Sequence, residues 1–127
     1  MPQTETATVT LGEDGIITVR VNHGAYQSLV NAKQNLDAAL GARDGRRRPL
    51  LVDISGAQPL DADVRHYYSG QALVDGFTAL GLVVEASPFG LMMGNIYFRV
   101  ARPGIPTKLF TRSGEAAEWL RGHVAQS

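Results

Sequence analysis

The chain has 127 residues, enough for one domain and too few for two ordinary ones, and its 44% hydrophobic against 19% charged residues exclude a disordered polymer. Twelve basic and twelve acidic residues leave zero net charge, so no field over the whole molecule draws nucleic acid or an anionic membrane. There is no cysteine, which removes disulfides, thiol catalysis and cysteine metal sites and makes the cytoplasm the expected compartment.

Met1 to Thr10 lacks the basic start and long apolar stretch of a signal peptide, and no apolar run nears the roughly 20 residues of a membrane-spanning helix. A soluble domain over residues 1–127 is therefore expected. Ala7, Val9 and Leu11 alternate with Thr8 and Thr10, and Ile17, Val19 and Val21 alternate with Thr18 and Arg20. That period of two marks half-buried strands. Gly12-Glu13-Asp14-Gly15 lies between them, and Asp-Gly favours a hairpin turn with positive φ angles, so the strands should pair antiparallel.

From Ala25 to Leu40 the residues Tyr26, Leu29, Ala32, Leu36, Ala39 and Leu40 recur at threes and fours, the stripe of an amphipathic helix that Gly41 ends. The run Arg46-Arg47-Arg48 reads as a solvated loop. Leu50-Leu51-Val52 with Ile54, and Ala79 to Val84, are continuous apolar runs of the kind that strands covered on both faces require, hence central and parallel. Between them Asp61 to about Leu73 is expected to be helical, with Val64, Tyr67, Tyr68 and Ala72 on one side, Asp61 as N-cap and Asp63 in the first turn.

Ser87-Pro88 should start a helix running to about Val100, with an apolar face of Phe89, Met92, Met93, Ile96, Tyr97 and Val100. Gly90 and Gly94 stand four apart on another edge of it, a cost of roughly 1 kcal/mol each against Ala that close approach by another element could justify. Arg102-Pro103-Gly104 stops this helix, Thr107 to Thr111 makes a last strand, and Ser113 caps a final helix with Ala116, Ala117, Trp119, Leu120 and Val124 buried. The order β, β, α, β, α, β, α, β, α implies an α/β fold with a mixed five-stranded sheet, an N-terminal antiparallel hairpin and a largely parallel remainder, and four helices.

Compact catalytic signatures are absent: no Gly-x-Ser-x-Gly elbow, no phosphate-binding loop with Lys, no His-Glu-x-x-His. His23, His66 and His123 have no metal-ligand spacing. Asp53, Ser55, Asp61 and Asp63 gather at the carboxyl end of the central strand and the next helix start, where open α/β sheets bind ligands. They could satisfy loop amides and cap a helix, hold a hard cation through oxygen atoms, or form a recognition surface. Acid/base chemistry lacks a partnered His or Lys, and neither catalytic residues nor a cofactor or metal is expected.

Val52-Asp53-Ile54-Ser55-Gly56 followed by Leu60-Asp61-Ala62-Asp63 resembles the segment of STAS domains, the anti-sigma-factor antagonists, in which a strand ending in Asp-x-Ser leads to an Asp-Ser-Ser helix start. The resemblance places Asp63 where that family carries its regulatory phosphoserine, so a fixed charge, weaker than the roughly −1.5 to −2 of a phosphate, replaces a switch. Val64 stands where a Gly normally follows.

A wider resemblance, to bacterial STAS/SEC14-like proteins, rests on the hairpin, the Leu50 to Ile54 strand, Arg65 to Tyr68, Ser87-Pro88 with Gly94-Asn95, Pro103 with Pro106-Thr107-Lys108-Leu109-Phe110, and Glu115 to Leu120. It implies a STAS-like fold and adds little on function, for which the first expectation is a non-catalytic regulatory protein-interaction module that self-associates. Its contact surface would comprise Asp53, Ser55, Asp61, Asp63 and Arg65 with the edge at Gly90, Met92, Met93, Gly94 and Asn95. The alternative is a carrier of a small lipid-like ligand held under the Ser87 to Val100 helix.

Overall fold

The computed structural model describes residues 3–68, 71–88, 90–92, 95 and 105–124. The predicted hairpin forms from β1 (Ala7–Leu11) and β2 (Ile17–Val21), paired antiparallel from Ala7 opposite Val21 to Leu11 opposite Ile17. Its turn places a positive φ at Gly15 alone, with the Gly15 amide donating to the Gly12 carbonyl at 3.0 Å, so it is a longer loop than a two-residue Asp-Gly turn.

β3 (Arg48–Asp53), β4 (Phe77–Val83) and β5 (Thr107–Phe110) extend the sheet in parallel, in the spatial order β1-β2-β3-β4-β5. The mixed five-stranded sheet expected from the hydrophobic pattern is thus present. Each new parallel strand adds on the same side of the last, so crossovers of one hand put their helices on one face. Leu36 and Ala39 of α1 (Leu29–Gly41) and Leu73 of α3 (Gln71–Gly76) accordingly share a core with Val9, Val19, Leu50, Leu80 and Leu82.

α5 (Ser113–Arg121) covers the opposite face through Ala116 and Leu120, which pack on Leu51, Ala79 and Val83. The close approach depends on Gly81, where a Cβ would lie 3.1 Å from Leu120 Cδ1.

Several helix boundaries differ from expectation. α1 begins at Leu29, four residues after Ala25, because Ser28 accepts from the Asn31 amide at 3.2 Å and Asn31 Oδ1 accepts from the Ser28 amide at 3.1 Å, a reciprocal cap. Tyr26 consequently lies outside the buried stripe and is 49% exposed. The single helix expected from Asp61 to Leu73 is two, α2 (Ala62–Tyr67) ending on Tyr68, then α3, and the next strand starts at Phe77, before Ala79.

α5 has Arg112 at its cap position with no side-chain bond, and Ser113 is its first helical residue, where its amide needs no intrahelical partner. A helix starting at Pro88, here α4, is described at residues 88, 90–92 and 95. The described helices number five where four were expected. Phe89, Met93, Gly94, Ile96, Tyr97, Val100 and the Arg102-Pro103-Gly104 stop lie outside the described residues.

The arginine run is not simply solvated. Arg47 Nη2 donates to the carbonyls of Val74 and Phe77, and Arg48 Nε to that of Arg43 at 2.7 Å. Arg43 adds bonds to the carbonyls of Leu40 and Gly76 at 3.0 and 3.2 Å. These guanidinium groups add bonds to carbonyls at the ends of α1 and α3 and in the turn between α1 and β3, at the amino-terminal end of the parallel strands.

Candidate functional site: the carboxyl end of the sheet

Three loops meet where β2, β3 and β4 end, and backbone bonds hold two of them together. The Gly24 amide donates to the Gly56 carbonyl at 2.6 Å, and the Gln58 amide to the Ala25 carbonyl at 2.9 Å. Gln58 Nε2 adds a bond to the Gly24 carbonyl at 3.1 Å. The β2–α1 loop is therefore a fixed wall beside the β3–α2 loop.

Asp53 shapes the start of the second loop. Its Oδ1 accepts from the Ser55 amide at 3.0 Å and the Ser55 hydroxyl at 2.6 Å, the geometry by which aspartate turns a chain, and Oδ2 pairs with Arg20 Nε at 3.5 Å. The Asp53 side chain is only 13% exposed, while Arg20 is 62% exposed. Thr8, Arg20, His23, Asp53 and Ser55 line an open groove of about 350 Å³ on the same sheet face as α5, over the hairpin strands and the end of β3.

Asp61 occupies the N-cap position of α2 but makes no capping bond, a correction to its expected role. Its Oδ2 instead accepts a hydrogen bond from the Tyr26 hydroxyl, which ties the first loop to the helix start. That bond, then the Asp61 charge, burial and the charge of Asp63, raise the Tyr26 phenol above its usual range. Asp63 is exposed in the first turn, with Oδ1 accepting from the Val64 amide at 2.8 Å.

Behind this surface α2 is anchored by a buried polar network. Tyr68 donates to Gln27 Oε1 at 2.7 Å, and Asn35 Nδ2 donates to the same oxygen and to Thr6 Oγ1, each at 2.9 Å. Gln27 and Asn35 are 2% and 1% exposed, so these bonds form in a low dielectric where they specify one arrangement. Tyr67 lies beside them with its phenol raised by burial first and by Asp37 second.

Across from α2, α4 starts as its sequence predicts: Pro88 is the first helical residue and Ser87 Oγ accepts from the Gly90 amide at 3.0 Å. Gly90 is required by the close approach of the β4–α4 loop, since a Cβ there would lie 2.3 Å from the Glu85 carbonyl oxygen. Arg65 of α2 and Gly90 of α4 line one cleft of about 70 Å³ with Ile54, Leu60, Leu82 and Val84, so the two helices are neighbours.

The structure thus unites Asp53 with Ser55 in one turn, Asp61 and Asp63 on the helix start, and Arg65 with Gly90 across the cleft. Met92 is 50% exposed and Asn95 is exposed on α4, whereas Met93 and Gly94 lie outside the described residues. Tyr26, Arg20 and the exposed Leu91 join this end of the molecule without having been singled out as site residues. The Ser28-x-x-Asn31 cap was the available signal for Tyr26, because it puts that residue before the helix. Among the described residues no group of three or more His, Asp or Glu could hold a metal, and no helix is long and apolar enough to cross a membrane.

A sheet of one antiparallel and three parallel pairings, with α1 and α3 on one face and α5 on the other, is the SpoIIAA-like, STAS-like architecture. The structure is similar to that of an uncharacterised DUF3478-family protein with a SpoIIAA-like fold from Shewanella loihica PV-4. The TM-score is 0.61 at 14% identity, covering 94% of this chain and 98% of that one. A protein of unknown function from Arthrobacter sp. FB24 is 25% identical over 94% of this chain and 96% of that one, with a TM-score of 0.37. The chain belongs to the family described as Domain of unknown function (DUF7793), whose model matches residues 10–124. No curated protein matches it.

Proposed function

We propose that residues 1–127 form a single non-catalytic, cytoplasmic regulatory domain that binds a protein partner, self-associates, and does so without a phosphorylatable serine at the start of α2. The observation that carries this reading is the pairing of exposed apolar side chains with an acidic helix start at one end of the sheet. Tyr26, Leu91 and Met92 are 49%, 41% and 50% exposed, and the carboxylates of Asp61 and Asp63 stand on α2, which shares a cleft with α4. Aromatic and Met side chains beside a charged rim are the composition of an interface rather than of ordinary surface.

In this reading Asp63 supplies a constant negative charge where STAS relatives switch one on, so binding at this site is constitutive. The lipid-carrier alternative receives less support, because the cleft under the start of α4 measures about 70 Å³ against roughly 300–1,000 Å³ for pockets that enclose drug-sized ligands.

Affinity capture with the wild-type chain, Asp63→Ala, Asp63→Ser and Met92→Glu tests the reading. Circular dichroism confirms that each variant is folded. Proteins retained by the wild type should be lost or reduced with all three variants, and retention of the same set by every variant overturns the proposal.

A further inference from the structure

Arg65 carries hydrogen-bonding capacity that the described residues leave unused. Its Nη1 donates to the Leu60 carbonyl, which fixes the guanidinium against the wall of the α2–α4 cleft. Its Nε is buried and has no hydrogen-bond partner among the described residues. The ion pairs Arg20–Asp53 and Arg121–Asp14 do not include Arg65. A buried donor on a charged group costs free energy unless something accepts from it.

The shape of the group limits what that acceptor is. With Nη1 committed to Leu60, the guanidinium edge that remains is the one formed by Nε–H and Nη2–H, a fork that matches the two oxygens of a carboxylate. The rest of the cleft is mostly hydrocarbon, from Ile54, Pro59, Leu60, Leu82 and Val84. A volume of about 70 Å³ suits a carboxylate and a short carbon chain.

Charge narrows the class further. One arginine neutralises one negative charge, and Glu85 lies on the cleft's outer wall, exposed and accepting from the Ser87 hydroxyl at 3.1 Å. Both kinds of anion meet that carboxylate, but a phosphate dianion brings twice the charge against the one Arg65 cation, so a monoanion is favoured.

We propose that this cleft is a binding site for a small monocarboxylate with a short apolar body, held by the Nε–H and Nη2–H edge of Arg65, its carbons against Leu60, Leu82 and Val84. The inference stands apart from the protein-binding reading, since a small acid can occupy the cleft whether or not a protein covers the surface above it.

Amide and arginine-side-chain NMR of the full chain, titrated with sodium butyrate, tests it. Sodium chloride at matched ionic strength controls for charge and 1-butanol for the hydrocarbon. Butyrate should give saturable shifts at the Arg65 Nε–H and at the amides of Leu60 and Val84, and neither control should. Arg65→Gln should weaken binding by about tenfold or more, the fold-change that one charge-assisted hydrogen bond carries. If Arg65→Gln loses its dispersed spectrum, Arg65→Lys makes the comparison, because it keeps the charge and loses the planar fork, and should also bind more weakly. Glu85→Gln should tighten binding.

Butyrate shifts that fail to saturate, equal affinity for butanol, or undiminished butyrate affinity in both Arg65 variants each overturn the proposal. A partner protein presenting a carboxylate side chain is the other source of the same chemistry. It is distinguished by competition: butyrate should then displace the proteins captured by the wild-type chain, and a free acid as the natural ligand predicts that it does not.

Discussion

The two ends of the parallel sheet use arginine in opposite ways. At the amino-terminal end Arg43, Arg47 and Arg48 donate together to the carbonyls of Leu40, Arg43, Val74, Gly76 and Phe77, closing the loop before β3 onto the end of α3. At the carboxyl end Arg65 holds one carbonyl and leaves its buried Nε unpaired, and Arg20 stands largely in water beside Asp53. The first end spends its cations on its own backbone, which stabilises the fold and leaves little for a ligand. The second end keeps hydrogen-bonding capacity in reserve.

The largest expected effect separates these ends by stability. Arg43→Ala with Arg47→Ala removes the bonds to Leu40, Gly76, Val74 and Phe77, and should lower unfolding free energy by about 1–3 kcal/mol, at the modest end because Arg47 is exposed. Urea denaturation monitored by Trp119 fluorescence measures it. Arg65→Met should cost less than about 1 kcal/mol, since the lost bond to Leu60 is offset by removing an unpaired buried donor. Equal losses from the two changes would show that Arg65 is as structural as its counterparts, and the contrast between the ends would collapse.

Which parts of this contrast a sequence can disclose depends on the range of the interactions involved. The hairpin, the buried β3 and β4 runs and the Ser87-Pro88 helix start were legible because period, turn residues and capping act over a few neighbours. The start of α1 was misplaced because Tyr26 keeps helical spacing with Leu29 while the Ser28 and Asn31 cap excludes it. The break between α2 and α3 had a signal that the single-helix reading passed over, since Gly70 stands between them in the sequence, and Tyr68 ahead of it bonds buried Gln27, 41 positions earlier in the chain.

The functional end was legible only in part. Asp53, Ser55, Asp61 and Asp63 stood out as a dense polar stretch in one segment, and the structure keeps them at one end of the sheet. The bond of Asp61 and the cleft at Arg65 were not legible, because Tyr26 lies 35 positions from Asp61 and the cleft is closed by Leu82, Val84 and Gly90 from later in the chain. The arginine run was read only in part: Arg46 and Arg47 are exposed as expected, but the carbonyls that Arg47 bonds, Val74 and Phe77, lie 27 and 30 positions later.

The smallest expected effect tests whether the carboxyl end is as fixed as its backbone bonds suggest. Tyr26 is half exposed, yet its phenol is raised by the bond to Asp61 and then by that residue's charge. A phenol whose folded value exceeds its unfolded value of about 10 contributes stability in full below pH 10 and loses it as pH rises through the folded value. Asp61→Asn removes the charge, so the Tyr26 midpoint, followed by carbon NMR of the ring, should fall toward 10. Tyr67, raised by burial and by Asp37, should hold its value and serve as the internal control. A Tyr26 midpoint that ignores Asp61→Asn would mean the tyrosine does not stay on the helix start in solution. The first loop would then be held through Gly24, Ala25 and Gln27 without a tie to the helix start at Tyr26, and the surface beside Asp63 would be less preorganised for a partner than the Tyr26 to Asp61 bond makes it.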